Sequence, residues 1–304
     1  MDFLPDVLAG YSAAPLDRAT LVRSDAQPES PRAAVLHVHG YNDYFYQAEF
    51  GDWWARRGLA FYAVDMRRAG RSIRQGDHQH DMLSIAEPGE DIAAAMDAIA
   101  ALHPGLPIIV HAHSTGGLSA AIWAKDRSHP QLTALVLNSP LFGLPMTRGQ
   151  AILARAVTPI VKLRPSMIVS RVPSLYNERL HVNGGGTAEF NQEWKSPAGI
   201  PTTARWVGAV TGAWKRIDGG LDIAIPLLVA RSAATGPESD DNPNFYSQDV
   251  VVDTVAIARR TPLLGARTEA LVIEDGMHDL SQSAQGPREA YLEGVAEFVT
   301  RVLS

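Results

Sequence analysis

The chain has no cysteine among its 304 residues, which excludes disulfides and cysteine-ligated metal. It has no excess of positive charge. Against 27 Lys and Arg stand 33 Asp and Glu, a formal charge of −6, and no basic run offsets this, so nucleic acid is not an expected partner. No segment approaches the roughly 18 uninterrupted apolar residues of a membrane span, so no integral membrane segment is expected. The opening Met1-Asp2-Phe3-Leu4-Pro5-Asp6 lacks a basic region, and acid and proline break its apolar run. A soluble cytoplasmic protein is therefore expected. Internal repeats and low-complexity tracts are also absent. What remains is 46% hydrophobic and 20% charged residues, enough for one large core, and hence for one catalytic domain carrying an insertion.

The organising stretch is Leu106 to Leu118. Leu106 to Val110 is a short apolar run rich in β-branched residues, which reads as a buried parallel strand. Ser119 to Lys125 suits the helix that should follow. Ala112-His113-Ser114-Thr115-Gly116 then falls on a strand-to-helix turn, the place for a nucleophilic serine whose flanking positions must be small. Other strands are expected at Thr20–Arg23, Ala33–Val38, Leu59–Val64, Thr133–Leu137, Ile225–Ala230 and Ala270–Ile273. Helices are expected at Gln47–Arg57, Gly89–His103 and Arg288–Val302. This alternation predicts a mostly parallel sheet with helices on both faces, an α/β fold whose sites lie at the carboxyl ends of strands. The alternation breaks down from Leu141 to Ile223, helical in patches such as Gly149–Val161 and carrying Trp194, Trp206 and Trp214. For each tryptophan, packing within that segment explains it as well as a site would.

Three segments at strand ends resemble the α/β-hydrolase superfamily, in particular its monoacylglycerol lipase, lysophospholipase and serine aminopeptidase group. They are the His39-Gly40 loop, the turn Asp65-x-Arg67-x-x-Gly70-x-Ser72, and the Ser114 elbow. Ala112 departs from the usual first glycine of G-x-S-x-G, and Arg68 from the glycine usual after Arg67. The resemblance implies an α/β-hydrolase core at 1–140 and 224–304, and a cap or lid at 141–223. It also implies backbone amides of Tyr41 and Thr115 as the oxyanion hole.

A serine hydroxyl needs a base within hydrogen-bond reach, itself oriented by a carboxylate. His278, in the loop after the last core strand, suits the base, and the order Ser114, Asp249, His278 is the one this fold requires. The run Asp249-Val-Val-Val-Asp253 resembles the family's acid loop, in which the first aspartate acts. Asp253 is placed to cap the helix that follows. The long loop before Asp249 keeps Asp240 and Asp241 conceivable beside Asp253. Asp275 and Asp279 read as residues that shape the His278 loop. The expected activity is hydrolysis of small-molecule acyl esters through an acyl-enzyme, without cofactor or metal. A serine aminopeptidase or an acyltransferase could use the same residues. Two further classes compete: a metal-dependent hydrolase built on the pairs His37/His39, His78/His80 and His111/His113, and a non-enzymatic binding protein of the same fold.

Overall fold

The computed structural model describes residues 1–127, 129–145, 163–171 and 173–304. Among the described residues nine strands form one sheet in the order β1-β2-β3-β5-β4-β6-β7-β10-β11. The parallel part comprises β4 (Ala33–Val38), β5 (Leu59–Asp65), β6 (Ile108–His113), β7 (Leu132–Asn138), β10 (Leu227–Ser232) and β11 (Thr268–Ile273). The first 31 residues supply not one strand but three, β1 (Leu4–Pro5), β2 (Tyr11–Pro15) and β3 (Thr20–Ser24), which edge the sheet in antiparallel pairs. Tyr-Ser-Ala-Ala-Pro has little intrinsic strand preference. Pairing with β3 makes it a strand, which the local sequence does not signal.

Period-two alternation assigns each strand's side chains to two cores. Leu36 and Val38 of β4 and Val110 and Ala112 of β6 face one cluster, under the helices α2 (Ala86–Leu102) and α3 (Thr115–Asp126). Val35 and Ile109 face the other, under α1 (Ala48–Ala55) and the closing helix α7 (Gln285–Leu303). The expected strand at Leu106–Val110 begins and ends later, because Pro107 cannot donate to a ladder while His111 and Ala112 pair with both neighbours and His113 with β7. The helix after it begins four residues before Ser119, its glycines held helical by packing against β4 and Pro140.

Among its described residues the interval 141–223 contains a small ribbon, β8 (Ile168–Ser170) with β9 (Thr202–Thr203), and the helices α4 (Leu175–Leu180) and α5 (Ala204–Asp218). The expected helix at Gly149–Val161 lies outside the described residues. α5 joins the core beneath it, since Trp206, Val210, Ala213 and Ile217 belong to the same cluster as α2 and α3. α4 does not. With Phe190 it builds a third cluster that also takes Tyr44 and Tyr46 from the loop after β4, Val250 from the acid loop and Met277 from the histidine loop. A remaining helix, α6 (Thr254–Arg260), follows the acid loop.

β4 and β6 are neighbours, yet their chains continue to opposite sides, to β5 and to β7. Here the strand order reverses, opening a crevice at the carboxyl ends where ligands bind in doubly wound sheets. Gly116 lies at this crevice. A methyl group on it would overlap the carbonyl oxygens of His39 and, at 2.8 Å, Val38. Gly116→Ala should therefore force α3 away from the end of β4 and lower stability by about 1–3 kcal/mol, measured by denaturant unfolding.

Candidate active site

Ser114 sits alone on the turn between β6 and α3, with φ 53° and ψ −119°. A non-glycine residue rarely adopts this backbone, and the surroundings must hold it there. They do so through hydrogen bonds on both sides: the Ser114 amide donates to the Asn138 carbonyl at 3.0 Å, and the Ser114 carbonyl accepts from Leu141 at 2.9 Å. Ala112 fills the position of the first elbow glycine and is fully buried without disturbing the strand.

The elbow brings the Ser114 Oγ to 3.0 Å from His278 Nε2, and His278 Nδ1 lies 2.9 Å from Asp249 Oδ2. All three side chains are buried. A carboxylate oxygen accepts, so Nδ1 carries the imidazole proton. Nε2 then presents a lone pair to the serine hydroxyl. Asp249 is held in turn, its Oδ1 accepting from the Val251 and Val252 amides, each at 2.8 Å.

Residues 236–248 form a closed excursion. The Asp249 amide donates to the Ala234 carbonyl and the Gly236 amide to the Asp249 carbonyl, each at 3.0 Å, which returns the chain to the end of β10 before Asp249. The other aspartates lie elsewhere. Asp240 is exposed and pairs with Arg179, Asp241 is exposed, and Asp253 caps α6 by accepting from Val255 and Ala256.

Facing the elbow is the loop after β4. A methyl group on Gly40 would stand 3.1 Å from the Ser114 Cβ, so any larger residue would press on the elbow. The His39 ring fixes the start of the loop, donating from Nδ1 to the Gly40 carbonyl at 2.7 Å and accepting the Met66 amide at Nε2 at 3.0 Å. Among the described residues neither the Tyr41 nor the Thr115 amide donates a hydrogen bond to another group. Two main-chain donors beside Ser114 can stabilise charge that develops on a carbonyl oxygen.

Several contributors carry no local sequence signal. The His278 ring lies between those of His113, with centroids 4.7 Å apart, and Tyr176 of α4, at 5.6 Å. Burial holds the His113 imidazole down at about 4, so it stays neutral. Asn138 spans the elbow and the histidine loop. Its side chain donates to Asp279 Oδ1 at 2.8 Å and accepts from Leu280 at 3.3 Å. Asp279 shapes that loop as expected, accepting from the Ser281 amide and hydroxyl.

Asp43 is buried with Lys195, whose Nζ lies 2.9 Å from Oδ1. Burial alone would raise the Asp43 carboxyl, but the Lys195 ammonium beside it holds it well below the usual carboxylate range. Beyond Asp65, which accepts from the Phe45 amide and from Arg71, the matching turn puts Arg68 at φ 65°, a conformation that favours glycine and that its ion pair with Glu87 accompanies here.

The His-x-His pairs are employed differently from a metal site. His37 and His111 do meet in register across β4 and β6, their Nδ1 atoms 2.8 Å apart, but beneath α7, where His111 Nε2 reaches the Tyr291 hydroxyl at 2.7 Å. Among the described residues no group of three or more His, Asp or Glu is placed to hold a metal ion. No described helix is long and apolar enough to cross a membrane.

Residues 29–192 match the hydrolase family described as "Serine aminopeptidase, S33". Among curated proteins, a monoacylglycerol lipase of Mycolicibacterium smegmatis is 35% identical over 116 residues, 36% of this chain and 38% of that protein. Phospholipase YtpA of Bacillus subtilis is 26% identical over 125 residues, 41% of this chain and 46% of that protein. The chain thus spans less than half the length of each of these curated relatives. Among solved structures, a monoglyceride lipase of Saccharomyces cerevisiae superposes with a TM-score of 0.74 at 14% identity, covering 96% of this chain and 94% of that one. A monoacylglycerol lipase of Paleococcus ferrophilus gives 0.67 at 17% identity, covering 91% and 96%. The fold is that of the α/β-hydrolases.

Proposed function

This chain belongs to the serine aminopeptidase family of hydrolases, and from that premise we propose that it cleaves carboxylic esters of acyl chains through an acyl-enzyme on Ser114. The observation that carries this reading is the buried hydrogen-bonded line from Ser114 through His278 to Asp249, mounted on a strained turn. His278 Nε2 takes the serine proton as Oγ attacks the ester carbonyl. The amides of Tyr41 and Thr115 receive the oxyanion, and His278 then gives its proton to the departing alcohol. A water activated by the same nitrogen releases the acid. Asp249 keeps the proton on Nδ1 throughout. No cofactor enters these steps.

The curated relatives are a lipase and a phospholipase, which supports an acyl ester of a glycerol or lysophospholipid type as substrate. Charge near the site supports ester over peptide. A peptide N-terminus needs a carboxylate for its ammonium, and the buried carboxylates around the site are already engaged: Asp43 by Lys195, Asp81 by Thr203 and Arg205, Asp279 by Asn138 and Ser281.

In this reading residues 141–223 act as a lid. An apolar roof would bury the acyl chain and exclude water. Tyr41 packs at a tilt against Trp206, ring centroids 4.6 Å apart, and Tyr44 meets Trp194 edge-on at 5.2 Å, aromatic contacts across to the segment that suit this role. With each buried methylene worth about 0.8 kcal/mol, kcat/KM on p-nitrophenyl esters should rise by up to about fourfold per carbon until the pocket is filled. A strict preference for acetyl esters would count against the acyl pocket, and turnover of amino-acyl amides alone would favour the aminopeptidase.

A further inference from the structure

Four consecutive residues after β4 each bond to one stretch of the insertion, 191–202. The Tyr41 hydroxyl lies 3.3 Å from Thr202 Oγ1. The Asn42 side chain grips the Ser196 backbone at both atoms, donating to its carbonyl at 2.8 Å and accepting its amide at 2.9 Å. Asp43 takes the Lys195 ammonium, and the Tyr44 hydroxyl accepts the Asn191 amide at 2.7 Å. Asn42 has φ 51°, a left-handed turn that must be held by its surroundings for the preceding amide to keep one direction. The Asp43 and Lys195 side chains are 4% and 6% exposed. The ammonium also lies over the rings of Tyr46 and Phe190, 5.6 and 5.5 Å from their centroids.

A buried ion pair adds little net stability compared with apolar groups of the same shape, whereas breaking one by removing a single partner is severe. If holding the insertion down were its whole purpose, leucine or methionine would serve. What an ion pair and a two-point amide grip add is direction. They fix Asn42 and Asp43 immediately after Tyr41, which follows the glycine that packs against the elbow. We propose that Lys195 and Asn42 are positioning residues: docking of 191–202 onto Tyr41–Tyr44 sets the direction of the Tyr41 oxyanion donor, so the donor is aligned only while that stretch of the insertion is seated. This rests on the ester-hydrolase reading above. It makes the insertion a participant in the chemical step as well as a roof over the substrate.

Loss of a transition-state donor lowers kcat and spares KM. In the full chain, Lys195→Met should lower kcat on a p-nitrophenyl ester by about 10²- to 10³-fold, the usual cost of one oxyanion donor, with KM within about threefold of wild type. Amide exchange in the peptide 39–46 should quicken at least about tenfold, while peptides of α7 exchange unchanged. The doubly apolar variant Asp43→Leu with Lys195→Met should regain most of the lost kcat, because no buried charge is then unpaired. Should Lys195→Met fail to fold, Asn42→Gly keeps the left-handed turn and the ion pair and should lose about tenfold in kcat, with the same KM. Wild-type kcat and unaltered exchange at 39–46 in these variants would overturn the proposal, as would a loss entirely in KM. Wild-type protein that neither cleaves esters nor reacts with a fluorophosphonate would overturn the hydrolase reading instead, and the exchange comparison would still decide the coupling.

Discussion

Ser114→Ala is expected to lose all covalent labelling by a fluorophosphonate, and its ester turnover should fall by about 10⁶-fold, as when the serine of such a triad is removed. The magnitude follows from the geometry. Ser114 Oγ lies 3.0 Å from Nε2 of a buried imidazole, and in the proposed mechanism it is the nucleophile on which the acyl group is carried. Without it, only the oxyanion donors and substrate binding remain, and these leave a residual rate well below that of the intact enzyme. The substitution should leave folding intact, since the elbow is held by main-chain bonds to Asn138 and Leu141. Peptide mapping of the labelled wild-type protein checks the site. Label on a second serine, or activity that survives Ser114→Ala and disappears with EDTA, would reinstate the metal-dependent alternative.

Asp249→Asn should fold normally and lose about 10⁴-fold in kcat. The asparagine oxygen can still accept from Val251 and Val252, as Oδ1 of the aspartate does. Its amide would then face His278 Nδ1, where Oδ2 now accepts. An NH₂ group there requires a lone pair on Nδ1, which moves the proton to Nε2 and leaves the base unable to take one from Ser114. Asp253→Asn is the contrasting control. Asparagine caps a helix nearly as well as aspartate, so a loss of about 1 kcal/mol or less of stability and near-normal kcat are expected. Steady-state kinetics with thermal unfolding of both variants tests the pair. Full activity in Asp249→Asn beside a dead Asp253→Asn or Asp241→Asn would mean the acid has been misassigned.

The closed excursion of residues 236–248 is why spacing along the chain leaves Asp249 ambiguous. Counted in residues, it lies far beyond the end of β10, but hydrogen bonds with Ala234 and Gly236 bring it back to that end. Sequence distance along a loop says little about where its two ends meet, since loop closure adds only slowly to the entropic cost as the loop lengthens. The same limitation hid Tyr176, Asn138 and the Asp43–Lys195 pair. Each acts through a partner more than 100 positions away, and nothing in its neighbours' periodicity announces that partner.

What the sequence by itself determined was local. Alternating strand and helix patterns predicted the parallel sheet, a small-residue turn marked Ser114, and Asp253 stood where a helix cap belongs. Each is decided by backbone sterics and hydrogen bonding within a few residues, which is the range over which a chain carries its own instructions. Tertiary structure alone decided the rest: that Tyr11–Pro15 is a strand, that the glycines after Ser114 are helical, that His37 and His111 pair beneath α7 rather than at the crevice, and that the insertion's Lys195 is buried against the loop carrying the Tyr41 amide. Those outcomes depend on which surfaces the sheet order brings together, because burial and pairing are properties of the contact and not of either residue.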